Sequence, residues 1–100
     1  MGIDFEYESF VWDADKSLSN LIKHKIDFVE ATRAFLDPKR IVVTDEGHSS
    51  KEPRYFCLGK IGKKVATVRF TYRQDKIRII GAGYWRKEKS YYEKENKIKN

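Results

Sequence analysis

The chain is poor in the residues that cross-link, ligate or kink a fold. Cys57 is the one cysteine, and Pro38 and Pro53 are the two prolines. A lone thiol excludes an internal disulfide, and a zinc site would need three or four ligands. Cys57 lies in the apolar run Tyr55-Phe56-Cys57-Leu58 and reads as an inert core thiol. The two histidines, His24 and His48, stand at no familiar ligand spacing from a carboxylate pair, so a metal-dependent hydrolase is weakly supported. No phosphate-cradling glycine loop is present; Gly81-Ala82-Gly83 reads as a tight strand exit. No serine or cysteine stands in a nucleophile elbow. No apolar run approaches the roughly 18 residues of a membrane span, and no charged segment leads into an apolar stretch as in a secretion signal. These absences point to a reduced, cytoplasmic protein with no cofactor, no metal and no membrane contact.

Acidic residues thin out where basic ones accumulate. Residues 1–50 hold six Lys/Arg and ten Asp/Glu, a net charge of −4, whereas residues 51–100 hold fifteen and five, a net charge of +10. Such asymmetry points to a polyanion or an acidic partner for the second half. It speaks to binding rather than to fold. One hundred residues suit one domain, 1–100, with 92–100 as a frayed tail.

Periodicity places the elements. Residues 4–12 alternate polar with aromatic side chains and read as a strand with Phe5, Tyr7 and Val11 on one face, bending or ending near Phe10. Asp13 is a natural N-cap for a helix to about Lys23, with Leu18, Leu21 and Ile22 as its apolar stripe. Asp27 and Glu30 are spaced like a capping box for a second helix that buries Phe28, Ala31, Ala34 and Phe35 and stops at Asp37-Pro38. Residues 41–44 read as a short buried strand and Asp45 to Lys51 as a polar loop. Strands at 54–61, 64–73 and 76–82 are joined by turns at Gly62-Lys63 and Gln74-Asp75. A last helix runs from Tyr84 to about Lys97, with Trp85, Tyr92 and Ile98 apolar among charges. The order β-α-α-β-β-β-β-α predicts an α+β fold: an antiparallel sheet, two N-terminal helices and a C-terminal helix, with the helices on one face.

The chemistry left to such a chain is basic and aromatic. On the strand 64–73, Val65, Thr67, Arg69, Thr71 and Arg73 share one face, while Ala66, Val68, Phe70 and Tyr72 share the other and should meet the core. Arg69 and Arg73, with Arg78 and Lys76 on the next strand and Arg54 on the neighbouring one, would gather on one surface if the registers agree. Metal-free RNA cleavage needs a base for the ribose 2′-hydroxyl, cations for the phosphate and an acid for the leaving 5′-oxygen. Arginine forks match phosphate oxygens, and histidine suits either proton role. His24, His48 and Arg78 are therefore candidate catalytic residues, and Arg69, Arg73 and Arg86 candidate RNA-binding ones.

These residues also carry a resemblance. Phe10-Val11-Trp12-Asp13, Lys16, Asn20, Lys23-His24, Phe28, Glu30-Ala31, Phe35 and Asp37 resemble the N-terminal signature of the BrnT toxin family. Asp45, His48, Glu52 and Arg54-Tyr55 resemble its middle segment. Arg78-Ile79-Ile80-Gly81-Ala82 resembles its last strand, and Glu88 with Tyr92-Glu93 its terminal helix. The resemblance covers roughly residues 10–93. It implies a compact RelE-like fold, a toxic endoribonuclease that inhibits translation, and a BrnA-like ribbon-helix-helix antitoxin that binds it. Lys23, His24, His48 and Arg54 match the pattern position by position, and the resemblance thereby adds Arg54 to the candidate catalytic residues and Lys23 to the candidate RNA-binding ones. One departure stands out: the family follows its last strand with an arginine, and here Gly83 and Tyr84 take that place. Arg78 or Arg86 would then have to supply the charge. Without it, the chain would be a non-catalytic module that binds RNA or the antitoxin.

Overall fold

The computed structural model describes residues 3–48 and 50–97. The single strand expected over residues 4–12 is a hairpin of two: β1 (Asp4–Tyr7) and β2 (Phe10–Asp13) pair antiparallel. The chain reverses at Glu8, whose φ is +55°. The reversal sets Phe5 opposite Trp12 and Glu6 opposite Val11. Val11 therefore faces away from Phe5 and Tyr7, which stack on Trp12 at centroid distances of 5.4 and 6.2 Å.

Asp13 caps α1 (Ala14–His24), accepting the N–H groups of Asp15 at 2.9 Å and Lys16 at 3.1 Å. The apolar stripe on this helix is not its buried face: Leu18, Leu21 and Ile22 are all exposed. The buried side chain is Asn20. Its amide donates to the Ile26 and Ala82 carbonyls, each at 2.8 Å, and its oxygen accepts the Ala82 N–H at 3.2 Å. A polar clamp fixes α1, where the helical period suggested an apolar seam.

Asp27 caps α2 (Phe28–Ala31) by accepting the Glu30 N–H at 2.8 Å. The helix tightens into a 3-10 segment, Thr32–Leu36, before Asp37-Pro38. Phe28, Ala31 and Ala34 are fully buried and Phe35 partly so, as the spacing predicts.

The remaining strands are β3 (Ile41–Thr44), β4 (Tyr55–Ile61), β5 (Lys64–Arg73) and β6 (Lys76–Gly83). They complete a six-stranded sheet in the order β1-β2-β6-β5-β4-β3. The sheet is mixed, because β2 runs parallel to β6 through Phe10–Ile77 and Val11–Arg78. The expected purely antiparallel sheet is corrected on this point. Turn signals specify neighbouring hairpins; they carry nothing about how a distant N-terminal hairpin docks on the far edge. β3, expected to be buried, is an edge strand with alternate residues exposed.

Both sheet faces are covered, which corrects the expectation of helices on one side. Cys57, Ala66, Val68, Phe70, Ile79 and Ala82 pack with Trp12, Phe28 and Ala31 in one cluster. Leu58 and Val65, on the opposite face by pleat parity, pack with Tyr92 of α3 (Arg86–Glu95). Face parity also has to bridge Ile79 and Ala82, three residues apart yet in the same cluster. A β-bulge does so: Arg69 pairs with Gly81 and Phe70 with Ile79, leaving Ile80 as the extra residue. Gly59 is required for close approach, since a β-carbon there would overlap the Ala34 carbonyl. Tyr72, assigned to the core by alternation, is exposed at the end of β5. The tail expected from residue 92 is helical through Glu95, with Tyr92 buried. Ile98 and the last two residues lie outside the described residues.

Candidate active site

The bulge sits beside a cleft of about 510 Å³, lined by Asn20, His24, Phe56, Thr67, Arg69, Gly81, Ala82, Trp85 and Glu88. Three elements deliver its chemistry. His24 comes from the last turn of α1, Arg69 from β5 where the register shifts, and Glu88 from the first turn of α3. His24 meets Trp85 edge-on, with ring centroids 5.4 Å apart. Thr67 adds a buried hydroxyl with no hydrogen-bond partner among the described residues, a group ready to bind a ligand atom.

Arg69 is held from behind. Its Nε lies 3.1 Å from Oδ2 of the buried Asp45, and His48 Nδ1 lies 3.1 Å from the same oxygen. The guanidinium also stands over the Phe56 ring at 5.3 Å. His48 thus reaches the cleft through Asp45 and Arg69. Its own surroundings are a separate shallow groove that it shares with Arg54 and Glu52.

The sheet does gather its arginines on one face, as the registers of Arg69, Thr71–Arg78 and Arg73–Lys76 require. It does not gather them in one cleft. Arg54 and Arg73 lie 3.7 and 3.5 Å from Glu52, and Arg78 bonds Asp4 at 3.0 Å. That bond from Arg78 holds the Asp4 carboxyl below its ordinary value. Lys23 is exposed at the end of α1. Arg86 lines a different groove with Lys63, Lys64 and Lys89. Of the eight residues singled out in the sequence, His24 and Arg69 share the cleft, and His48 is linked to it.

Asn20, Thr67, Trp85 and Glu88 were missed as site residues. Asn20 carried a signal, as a polar residue amid an otherwise helical apolar pattern. Glu88 stood in a run of charges that reads as a solvated helix face, and only its place in the family-like pattern set it apart from its neighbours.

Among the described residues, no three His, Cys, Asp or Glu side chains group so as to hold a metal ion, and no helix is long and apolar enough to cross a membrane. Cys57 is fully buried, and burial pushes its thiol up to about 12, which leaves it unreactive at neutral pH.

An α+β protein whose cleft combines an imidazole, a carboxylate and a buttressed guanidinium has the equipment of an acid–base enzyme acting on a phosphate ester. The family model described as the ribonuclease toxin, BrnT, of type II toxin-antitoxin systems matches residues 12–89. The chain belongs to the BrnT family. No curated protein matches it.

Proposed function

We propose that this chain is a metal-independent endoribonuclease that cleaves RNA in the cytoplasm, inhibits translation, and is silenced by a BrnA-like ribbon-helix-helix antitoxin. The observation that carries the reading is the meeting of His24, Glu88 and Arg69 in one cleft. The Glu88 carboxylate takes the proton of the ribose 2′-hydroxyl as its oxygen bonds to phosphorus. Arg69 offsets the charge gathering on the phosphate oxygens. The P–O5′ bond breaks and His24, as imidazolium, hands its proton to the leaving oxygen. The products are a 2′,3′-cyclic phosphate and a 5′-hydroxyl.

His48 acts as a positioning residue, through Asp45 on Arg69. Arg54, Arg73, Arg78, Lys23 and Arg86 supply the surrounding positive field that draws RNA in. The antitoxin reading is supported by the apolar surface that α1 leaves open. Phe5, Leu18, Leu21 and Val29 line a shallow groove and are all exposed, a combination that marks a protein contact.

Incubating the purified protein with RNA, with and without a chelator, tests the enzyme reading. Cleavage insensitive to the chelator and leaving cyclic phosphate ends is expected. Binding without cleavage would instead favour the non-catalytic module.

A further inference from the structure

Arg69 is the one sheet arginine that lines the cleft; Arg54, Arg73 and Arg78 are engaged by carboxylates elsewhere on the sheet. A further set of cations stands at the cleft's other border. Lys63, Lys64, Arg86 and Lys89 line a second groove together with Val65, Tyr84 and Trp85. None of these four makes an ion pair within 4 Å among those found for the described residues. Lys64 stands over the Tyr84 ring at 5.1 Å. Trp85 lines both this groove and the cleft of His24, Arg69 and Glu88. Trp85 is 44% exposed, against 2% for Trp12, the other tryptophan.

A large aromatic at the border of a catalytic cleft and a lysine-rich groove is what a single strand of nucleic acid requires. The π-face takes a base, and the cations track the phosphates beyond it. Base–aromatic stacking needs no particular base, whereas a duplex would have to open before it could use the site.

We propose that Trp85 is a nucleobase-stacking platform and that Lys63, Lys64, Arg86 and Lys89 bind the phosphates of the flanking nucleotides, so that the substrate is single-stranded RNA threaded past Trp85. The inference rests on the ribonuclease reading above and adds to it the substrate class and the path of the strand. The aromatic also accounts for how the site functions without an arginine at Gly83: it replaces a charge contact with a stacking contact at the same edge of the cleft.

A short single-stranded 2′-O-methyl RNA, which lacks the attacking hydroxyl, is the probe. Titrated into the wild-type protein, it should quench tryptophan fluorescence, and the quench belongs to Trp85 because Trp12 is buried. Trp85→Ala should weaken binding by about 5- to 100-fold, in line with the loss of one stacked base. Trp85→Phe, which keeps a ring, should recover most of the affinity. Replacing Lys64 and Lys89 by Ala should flatten the log–log salt slope by about 0.7 per lysine. The same sequence annealed to its complement should bind more weakly.

Wild-type binding without a quench, and with equal affinity in Trp85→Ala, overturns the stacking site while leaving the ribonuclease reading intact. Loss of antitoxin affinity with unchanged RNA affinity in the lysine variants overturns it in favour of an acidic protein partner. Failure of the wild type to bind or cleave any RNA removes the ribonuclease reading and the platform with it.

Discussion

Gly83 and Trp85 compete for one volume: the indole of Trp85 lies where a β-carbon on residue 83 would have to be. Any side chain at 83 therefore displaces the tryptophan. Gly83 is half of a Gly–Trp pair, and an arginine could not be introduced there without moving Trp85. Gly83→Ala should lower stability by about 1–2 kcal/mol through overpacking. In a Trp85→Ala background the same change should cost almost nothing. Urea unfolding of the four proteins measures this coupling, and an equal cost in both backgrounds would refute the packing account.

The proton-transfer roles predict unequal losses. His24→Ala and Glu88→Gln should each slow cleavage by about 10²–10⁴-fold with little change in unfolding midpoint, since neither side chain belongs to a core cluster. His48→Ala should cost less, because it acts on Arg69 only through Asp45. Single-turnover rates rank the three. If His48→Ala proves as severe as His24→Ala, His48 touches the substrate and the assigned site is wrong.

Asn20 should matter for stability more than its polarity suggests. Its side chain satisfies the Ala82 N–H and the Ala82 and Ile26 carbonyls. Asn20→Leu strands these buried groups and should cost about 2–3 kcal/mol. Loss of less than half a kilocalorie, by chemical denaturation, would mean water or backbone movement replaces the clamp.

A pH dependence follows from the pair Asp37 and Tyr92. Burial alone would raise the Asp37 carboxyl. The Tyr92 hydroxyl and the backbone N–H groups of Lys60 and Lys39 outweigh it and hold the carboxyl below its ordinary value. Burial, together with the nearby Asp37 carboxylate, pushes the Tyr92 phenol well above its own. A depressed carboxyl stabilises the fold above the ordinary carboxylate range, and that contribution is lost as pH falls through the depressed value. A raised phenol stabilises below about pH 10, and its contribution is lost as pH rises beyond that. Tyr92→Phe should cost about 1–2 kcal/mol at neutral pH. The deficit should shrink as pH falls below the ordinary carboxylate range, about 4, and on through the depressed Asp37 value. Thermal melts across pH decide this, and a deficit unchanged at acid pH would assign the effect to packing.

The exposed apolar face of α1 predicts the antitoxin contact. Leu18→Asp with Leu21→Lys should leave the fold and RNA cleavage intact but abolish co-purification with a co-expressed BrnA-like antitoxin. Retained co-purification would place the antitoxin on another surface.

How much of this was legible in the chain differs by element. The caps Asp13 and Asp27, the turns at Gly62-Lys63 and Gln74-Asp75, and the full span of β5 follow from local chemistry and alternation. The stripe Leu18, Leu21 and Ile22 misled, because a helical period marks an apolar face without saying whether this molecule or a partner covers it. Tyr72 misled because alternation continues past the end of the covering layer.

The sequence alone determined the family, the class of fold, the element order and the charge divide between the two halves. Each depends on residue identity and on contacts a few positions apart. Only the tertiary structure decided that β2 joins β6 in parallel, that α3 covers the second sheet face, and that Glu88, Arg69 and His24 share a cleft. Those outcomes rest on pairings between residues tens of positions apart. Their registers are set by packing and by a one-residue bulge at Ile80, which no local pattern encodes.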